Sequence, residues 1–355
     1  MARAAKQQKA IGILLIVILV QFVALAALLV KQDSPPQEQP QAEEVLPEVQ
    51  APRQPATPAV SPEVPEPAET EPPSPPVSQL SAEEILAGSQ LIIHGLGEMG
   101  GATTLNCLEG FLEQYEQGAR VFEVDLRLTA DHEVILRHDW RAGWQDGISE
   151  TSIPTLESFL KRPLLGQYTP LSFRDLLQLM EAYPDICVIT DTKFTDAEVV
   201  TTQFEAMVRD AEELGLTYVF DRIVVQVYSQ LMHRVVNSIH PFPNYIYTLY
   251  TEGFNRTEAT FREKAAFCQE KNITGITMWD YWWRDSFAPI AEEYGLSVYV
   301  HTVNDPQAAL TLLDSGVSGI YTDTLTQALL DEAAQEIIIE GELESNGSDG
   351  ENTEQ

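Results

Sequence analysis

Residues 119–139 read ARVFEVDLRLTADHEVILRHD, two apolar runs joined by the polar turn TADHE. Val121, Phe122, Val124 and Leu126 give the first run the character of a strand buried on both faces. Glu123, Asp125 and Arg127 nevertheless stand at every second position. On a strand they share one face, with neighbouring carboxylates about 7 Å apart along the chain. Unpaired carboxylates are costly to bury, so this pattern predicts a site where a cation joins them.

Working outward, the same kind of strand recurs. LIIHG (91–95), ICVITDTK (186–193), RIVVQVY (222–228), YIYTLY (245–250), GITMW (275–279), LSVYVHT (296–302) and SGIYTD (318–323) join the two runs above, making nine candidates. Amphipathic stretches separate most of them: 106–117, 172–183, 195–215 and 257–271. Strand-then-helix alternation predicts a parallel sheet, and the span 81–336 is close to the roughly 250 residues of a (β/α)8 TIM barrel. Nine candidates for eight places leave one irregular. A doubly wound sheet fits the alternation less well, because HGLGEMGG (94–101) is Gly-rich without the GxGxxG phosphate fingerprint.

Polar residues gather where the candidate strands end: His94, then Glu123 and Asp125, then His138 and Asp139, then Asp191 and Lys193. In a barrel such ends converge on one mouth. Glu123, Asp125 and Asp191 form an oxygen-only set suited to one hard divalent cation, Mg2+ or Ca2+. His94 and His138 supply an acid and a base near neutral pH. Lys193 is a fixed cation for phosphoryl oxygens, and Arg127 either neutralises the cluster or meets a phosphate. Trp279, Tyr281, Trp282 and Trp283 follow the seventh candidate and either line a pocket or cap the core. His132, His233 and His240 fall in turn or loop contexts and are expected to be structural.

The ordered segments HGLG (94–97), LNCLEGF (105–111), VFEVDLRLTADHEVILRHDW (121–140), ITDTK (189–193), VYVHTVND (298–305) and GVSGIYTD (316–323) resemble the glycerophosphodiester phosphodiesterase family. The family belongs to the superfamily of phosphatidylinositol phospholipase C-like phosphodiesterases. The resemblance implies a metal-dependent phosphoric diester hydrolase acting on glycerophosphodiesters or lipid head-group diesters. His94 and His138 would be the acid–base pair, Glu123, Asp125 and Asp191 the metal ligands, and Lys193 a phosphate contact. Related barrels cleave phosphoinositides or sphingomyelin through a cyclic phosphate, and a catalytically silent phospho-ligand-binding barrel is a further alternative. Departures are visible: Gly95 replaces the family's Arg after the first His, Leu105 replaces a Glu, Asp191 is shorter than the usual Glu, and His301 stands for a Trp. Arg127 is then the better substitute for the missing clamp, since Arg137 adjoins His138 and points the other way. His301 and Trp279 are candidate substrate contacts.

The ends of the chain differ in composition. Residues 1–10 form a short basic segment, and 11–30, IGILLIVILVQFVALAALLV, are long enough to cross a bilayer. Arg3, Lys6 and Lys9 precede this run while only Lys31 follows closely, so the N-terminus is expected in the cytoplasm and the rest outside a cell membrane. Cleavage at Ala24-Leu25-Ala26 would make the protein secreted instead. Residues 31–80 read as a disordered Pro/Glu-rich linker and 337–355 as a disordered acidic tail. The net charge of −33, with no basic patch, argues against a nucleic-acid partner. Cys107, Cys187 and Cys268 lie far apart and predict buried thiols rather than a disulfide framework. The oligomeric state has no signature in the sequence.

Overall fold

The computed structural model describes residues 80–348, apart from Ala142 and Glu252. The apolar run 11–30 and the 31–80 linker, save Leu80, lie outside the described residues, as does the stretch after Ser348. Among the described residues no helix is long and apolar enough to cross a membrane.

All nine candidate strands form: β1 (Leu91–Ile93), β2 (Val121–Leu128), β3 (Val134–Leu136), β4 (Cys187–Asp191), β5 (Ile223–Val227), β6 (Asn244–Thr248), β7 (Gly275–Trp279), β8 (Ser297–His301) and β9 (Gly319–Thr322). The sheet runs β1-β9-β8-β7-β6-β5-β4-β2-β3, and a β1–β2 pairing at Ile93↔Phe122 closes it. Every barrel pairing is parallel; β3 alone is antiparallel, on β2. The fold is therefore a (β/α)8 barrel carrying one extra hairpin strand.

Alternation along the strands sorts the side chains. Ile92, Val121, Ile189, Val224, Ile246 and Tyr321 fill the barrel interior, while Leu91, Ile93, Phe122 and Val124 belong to the outer core under the helices. The short helix Ala82–Ala87 adds Ala82 and Ile85 to the interior cluster. Its entry is set by a capping box between Ser81 and Glu84, a device worth about 1 kcal/mol. The long helix Ala197–Leu214 starts on Asp196, whose carboxylate accepts from the Glu198 and Val199 amides, and stops at Gly215 in the left-handed conformation.

The expected surplus strand is β3, and its direction corrects the placing of His138 at the end of a barrel strand. The third candidate strand is not a barrel strand: β2 has eight residues against five in β4, and its last three lie past their parallel pairing. The Thr129–Glu133 turn then sends β3 back along that overhang, with Leu126 opposite Leu136. His138 thus reaches the rim on a returning chain, not at the end of an ascending strand. At the other end, the final helix runs from Gln327 to Ser348, across the 336/337 boundary read from the sequence. Residues 327–337, QALLDEAAQEI, are good helix formers, so propensity carries the element past its last core contacts at Leu330 and Ala333. The three cysteines are free and buried, as expected.

Candidate active site

Glu123 and Asp125 have the parity of Val121 and so point into the barrel, at its C-terminal mouth. Asp191 lies beside Asp125 in the β2–β4 register. All three carboxylates are buried, and they offer oxygens within 4.8 Å of one another. The Gly95 amide donates to Glu123 Oε2 (2.8 Å), and Asn106 Nδ2 donates to Asp125 Oδ2 (2.7 Å). Asn106 Oδ1 accepts from the Asp125 amide (2.9 Å), so one asparagine fixes both the backbone and side chain of Asp125. Tyr228 Oη donates to Asp191.

Lys193 brings its ammonium 2.8 Å from Asp125 Oδ1 and into contact with Asp191. Burial works against charging both partners. For Asp191 the Lys193 charge and hydrogen bonds outweigh it and the pKa falls; for Lys193 the three carboxylates outweigh it and the pKa rises. One ammonium does not neutralise the cluster: burial, then repulsion from Asp125, pushes Glu123 up to about 8. A crowded, buried, oxygen-only set with an excess of negative charge fits a hard divalent cation.

His94 Nδ1 lies 2.9 Å from Asp323 Oδ1, and its Nε2 is 4.0 Å from Glu123 Oε2. Burial opposes its charging, yet the Asp323 hydrogen bond and the fields of Glu123 and Asp125 raise its pKa to about 9. His138 Nδ1 lies 2.9 Å from Asp139 Oδ2. His94, His138, Glu123, Asp191 and Lys193 line one cavity of about 340 Å3.

The opposite wall is aromatic. Trp279 stacks on His301 at 4.5 Å and 14° and on Tyr250 at 4.9 Å. His301 therefore joins a stacking wall despite replacing a tryptophan of the family pattern. Burial, with the His94 charge second, holds its pKa down to about 3, so the ring is neutral. Of the other mouth aromatics, Tyr281 is exposed, while Trp282 and Trp283 pack against the core.

Arg127 lies off the cavity, with Asp125, Asp139 and Asp191 among the charges that act on its guanidinium. The guanidinium lies over Phe194 (5.0 Å) and its Nε donates to the His138 carbonyl (3.0 Å). Gly95 explains the missing clamp. It has φ +54°, and a Cβ there would stand 2.5 Å from Thr104 Cα, so the approach of the 97–104 segment leaves no room for an arginine. Asp323, Asn304 and Tyr228 were not anticipated. Asp323 had a visible signal, since SGIYTD ends in a carboxylate just as the other strands end in polar residues.

Residues 99–327 match the profile of the glycerophosphoryl diester phosphodiesterase family. The chain belongs to this family. It is accordingly a phosphoric diester hydrolase by class. The match begins after His94 and Gly95, where the sequence departs from the family pattern. No curated protein matches the chain. Among solved structures, a candidate glycerophosphoryl diester phosphodiesterase from Silicibacter pomeroyi is 17% identical, with 69% of this chain and 94% of that one covered and a TM-score of 0.58. A phosphodiesterase from Oleispira antarctica in complex with its product sn-glycerol-3-phosphate is 15% identical, covering 69% and 96%, TM-score 0.55. A glycerophosphodiester phosphodiesterase from Parabacteroides distasonis is 19% identical, covering 71% and 97%, TM-score 0.54. At these identities the structures speak for a common barrel fold.

Proposed function

We propose that the protein hydrolyses glycerophosphodiesters, or related lipid head-group diesters, to an alcohol and a phosphomonoester, using a divalent cation, Mg2+ or Ca2+, held by Glu123, Asp125 and Asp191. The observation that carries this reading is a cluster of three buried carboxylates, two of which, Glu123 and Asp191, line a single cavity with His94, His138 and Lys193. The cation would supply charge at the phosphoryl oxygens. Lys193 adds a second positive charge beside them, preorganised by Asp125 and Asp191. One of His94 and His138 takes the proton of the attacking water while the other gives its proton to the leaving alkoxide; the first then loses its proton to solvent and the second takes one up, which restores the pair for the next turnover. Trp279 and His301 border the aromatic side, where the leaving alcohol fits. The sn-glycerol-3-phosphate bound by the Oleispira antarctica protein supports a small phosphodiester as substrate.

For location, we place the chain in a cell membrane by residues 11–30, with the catalytic domain (81–336 as read from the sequence) outside, on the strength of that apolar run and the basic residues before it. Protease added to intact cells should then release the barrel; a protected barrel would refute the orientation.

The reading of the site is tested with full-length protein, stripped by chelator and reloaded with Mg2+ or Ca2+, on glycerophosphocholine followed by phosphorus NMR. Cation-dependent appearance of sn-glycerol-3-phosphate is expected, with loss of turnover in His138→Ala. Undiminished turnover in that variant or in the stripped protein would overturn the mechanism. An accumulating cyclic phosphate would favour internal attack over hydrolysis.

A further inference from the structure

We infer that Arg127 and Arg137 are positioning residues that brace His138, and that neither meets the phosphate. The inference rests on the acid–base role proposed for His138. β3 ends at Leu136, so no strand ladder holds the histidine at the rim. Two arginines take over that task.

Arg137 is wholly buried. Its guanidinium lies 5.2 Å from the Trp140 ring centroid and 4.6 Å from that of Trp144. Nη1 donates to Asp146 Oδ2 (2.6 Å), and Nε donates to the Asp139 carbonyl (2.7 Å). Its own amide donates to the Asp125 carbonyl (2.8 Å). One residue thus couples the strand carrying a candidate metal ligand to the main chain just beyond His138. Asp139 continues the link: Oδ2 lies 2.9 Å from His138 Nδ1, while Oδ1 accepts from the Arg141 amide (2.6 Å). From the other side, Arg127 Nε donates to the His138 carbonyl, with its guanidinium on Phe194. The carbonyls of His138 and Asp139 are each held by an arginine, and the imidazole is held by the carboxylate between them.

A planar, permanently charged fork that stacks on indoles suits this place, and a lysine ammonium does not reproduce it. Paired with Asp146, the charge is tolerated in the interior; removing one partner strands the other. The consequence for chemistry is large, because a displacement of about 1 Å in a reacting group costs on the order of a hundredfold in rate.

The test compares full-length, cation-loaded Arg127→Gln, Arg137→Lys and His138→Ala with the parent on a glycerophosphodiester. For each arginine variant that melts cooperatively, kcat should fall about ten- to a hundredfold with KM changed less than about twofold. The side-chain 1H–15N signals of His138 should move while those of His94 stay. A folded Arg127→Gln with raised KM and unchanged kcat would make Arg127 a phosphate contact and overturn the inference, as would parental kcat in either folded variant. If Arg137→Lys does not fold, Arg127→Gln decides. Parental turnover in His138→Ala removes the histidine's role itself; an inactive His138→Ala beside fully active arginine variants removes only the brace.

Discussion

His94 Nδ1 lies 2.9 Å from Asp323 Oδ1, a contact joining the ends of β1 and β9, which are neighbours in the closed barrel through Ile93↔Thr322. Asn304 holds the aspartate in turn: its Nδ2 donates to Asp323 Oδ2 and its Oδ1 accepts from the Asp323 amide, each at 2.8 Å. With Nδ1 committed to Asp323, the histidine presents Nε2 to the Glu123 side of the cavity.

Asp323→Asn should therefore lower kcat about a hundredfold, within the ~10²–10⁴ that a positioned acid or base contributes, with a smaller change in KM. Steady-state kinetics on a glycerophosphodiester measures it. Parental kcat would show that His94 needs no such partner.

Glu123, Asp125 and Asp191 predict a cation-dependent melting temperature. A ligand at a hundredfold its Kd stabilises the native state by about 2.7 kcal/mol, so Mg2+ or Ca2+ should raise the melting point of chelated protein. Asp125→Asn should abolish that rise. A rise that survives the substitution would place the ion elsewhere.

Gly95→Ala should lose stability and turnover together. Positive φ costs a residue with a Cβ about 1–3 kcal/mol, and Thr104 Cα stands where that Cβ would go. The Gly95 amide would also be drawn from Glu123 Oε2. Thermal melting should fall by about 2 °C or more for a domain of this size. An unchanged melting point would mean that the 97–104 segment yields freely.

His233, buried against Tyr245, gives a pH-dependent term away from the site. Burial first, then the charges of Lys271 and Arg234, lowers its pKa below the usual 6.5. The unfolded chain thus binds the proton more readily. His233 contributes stability that is complete above pH ~6.5 and is lost as the pH falls through its native value. His233→Gln should flatten the decline in melting temperature between about pH 7.5 and 5. A decline as steep as the parent's would assign the acid sensitivity to other groups.

Much of this was legible in the sequence because strand and helix periods are local. Alternation in VFEVDLRL placed Glu123 and Asp125 on the face of Val121, and the strand-end rule brought them to one mouth with His94, Asp191 and Lys193. Side-chain parity needs no partner strand to be known. His138 was found by the same rule although β3 runs the opposite way, since direction depends on which strand β3 pairs with. The resemblance read from ordered motifs agrees with the family match over residues 99–327.

The sequence by itself determined the strand positions, the barrel class and the convergence of the acidic and histidine groups, because these follow from periodicity and from parallel closure. Only the tertiary structure decided which groups touch. Asp323 is 229 residues from His94, Arg127 donates to the His138 main-chain carbonyl, and Thr104 closes on Gly95. Each is a contact between segments whose spacing is set by packing and not by any local repeat, so no reading of one strand at a time contains it.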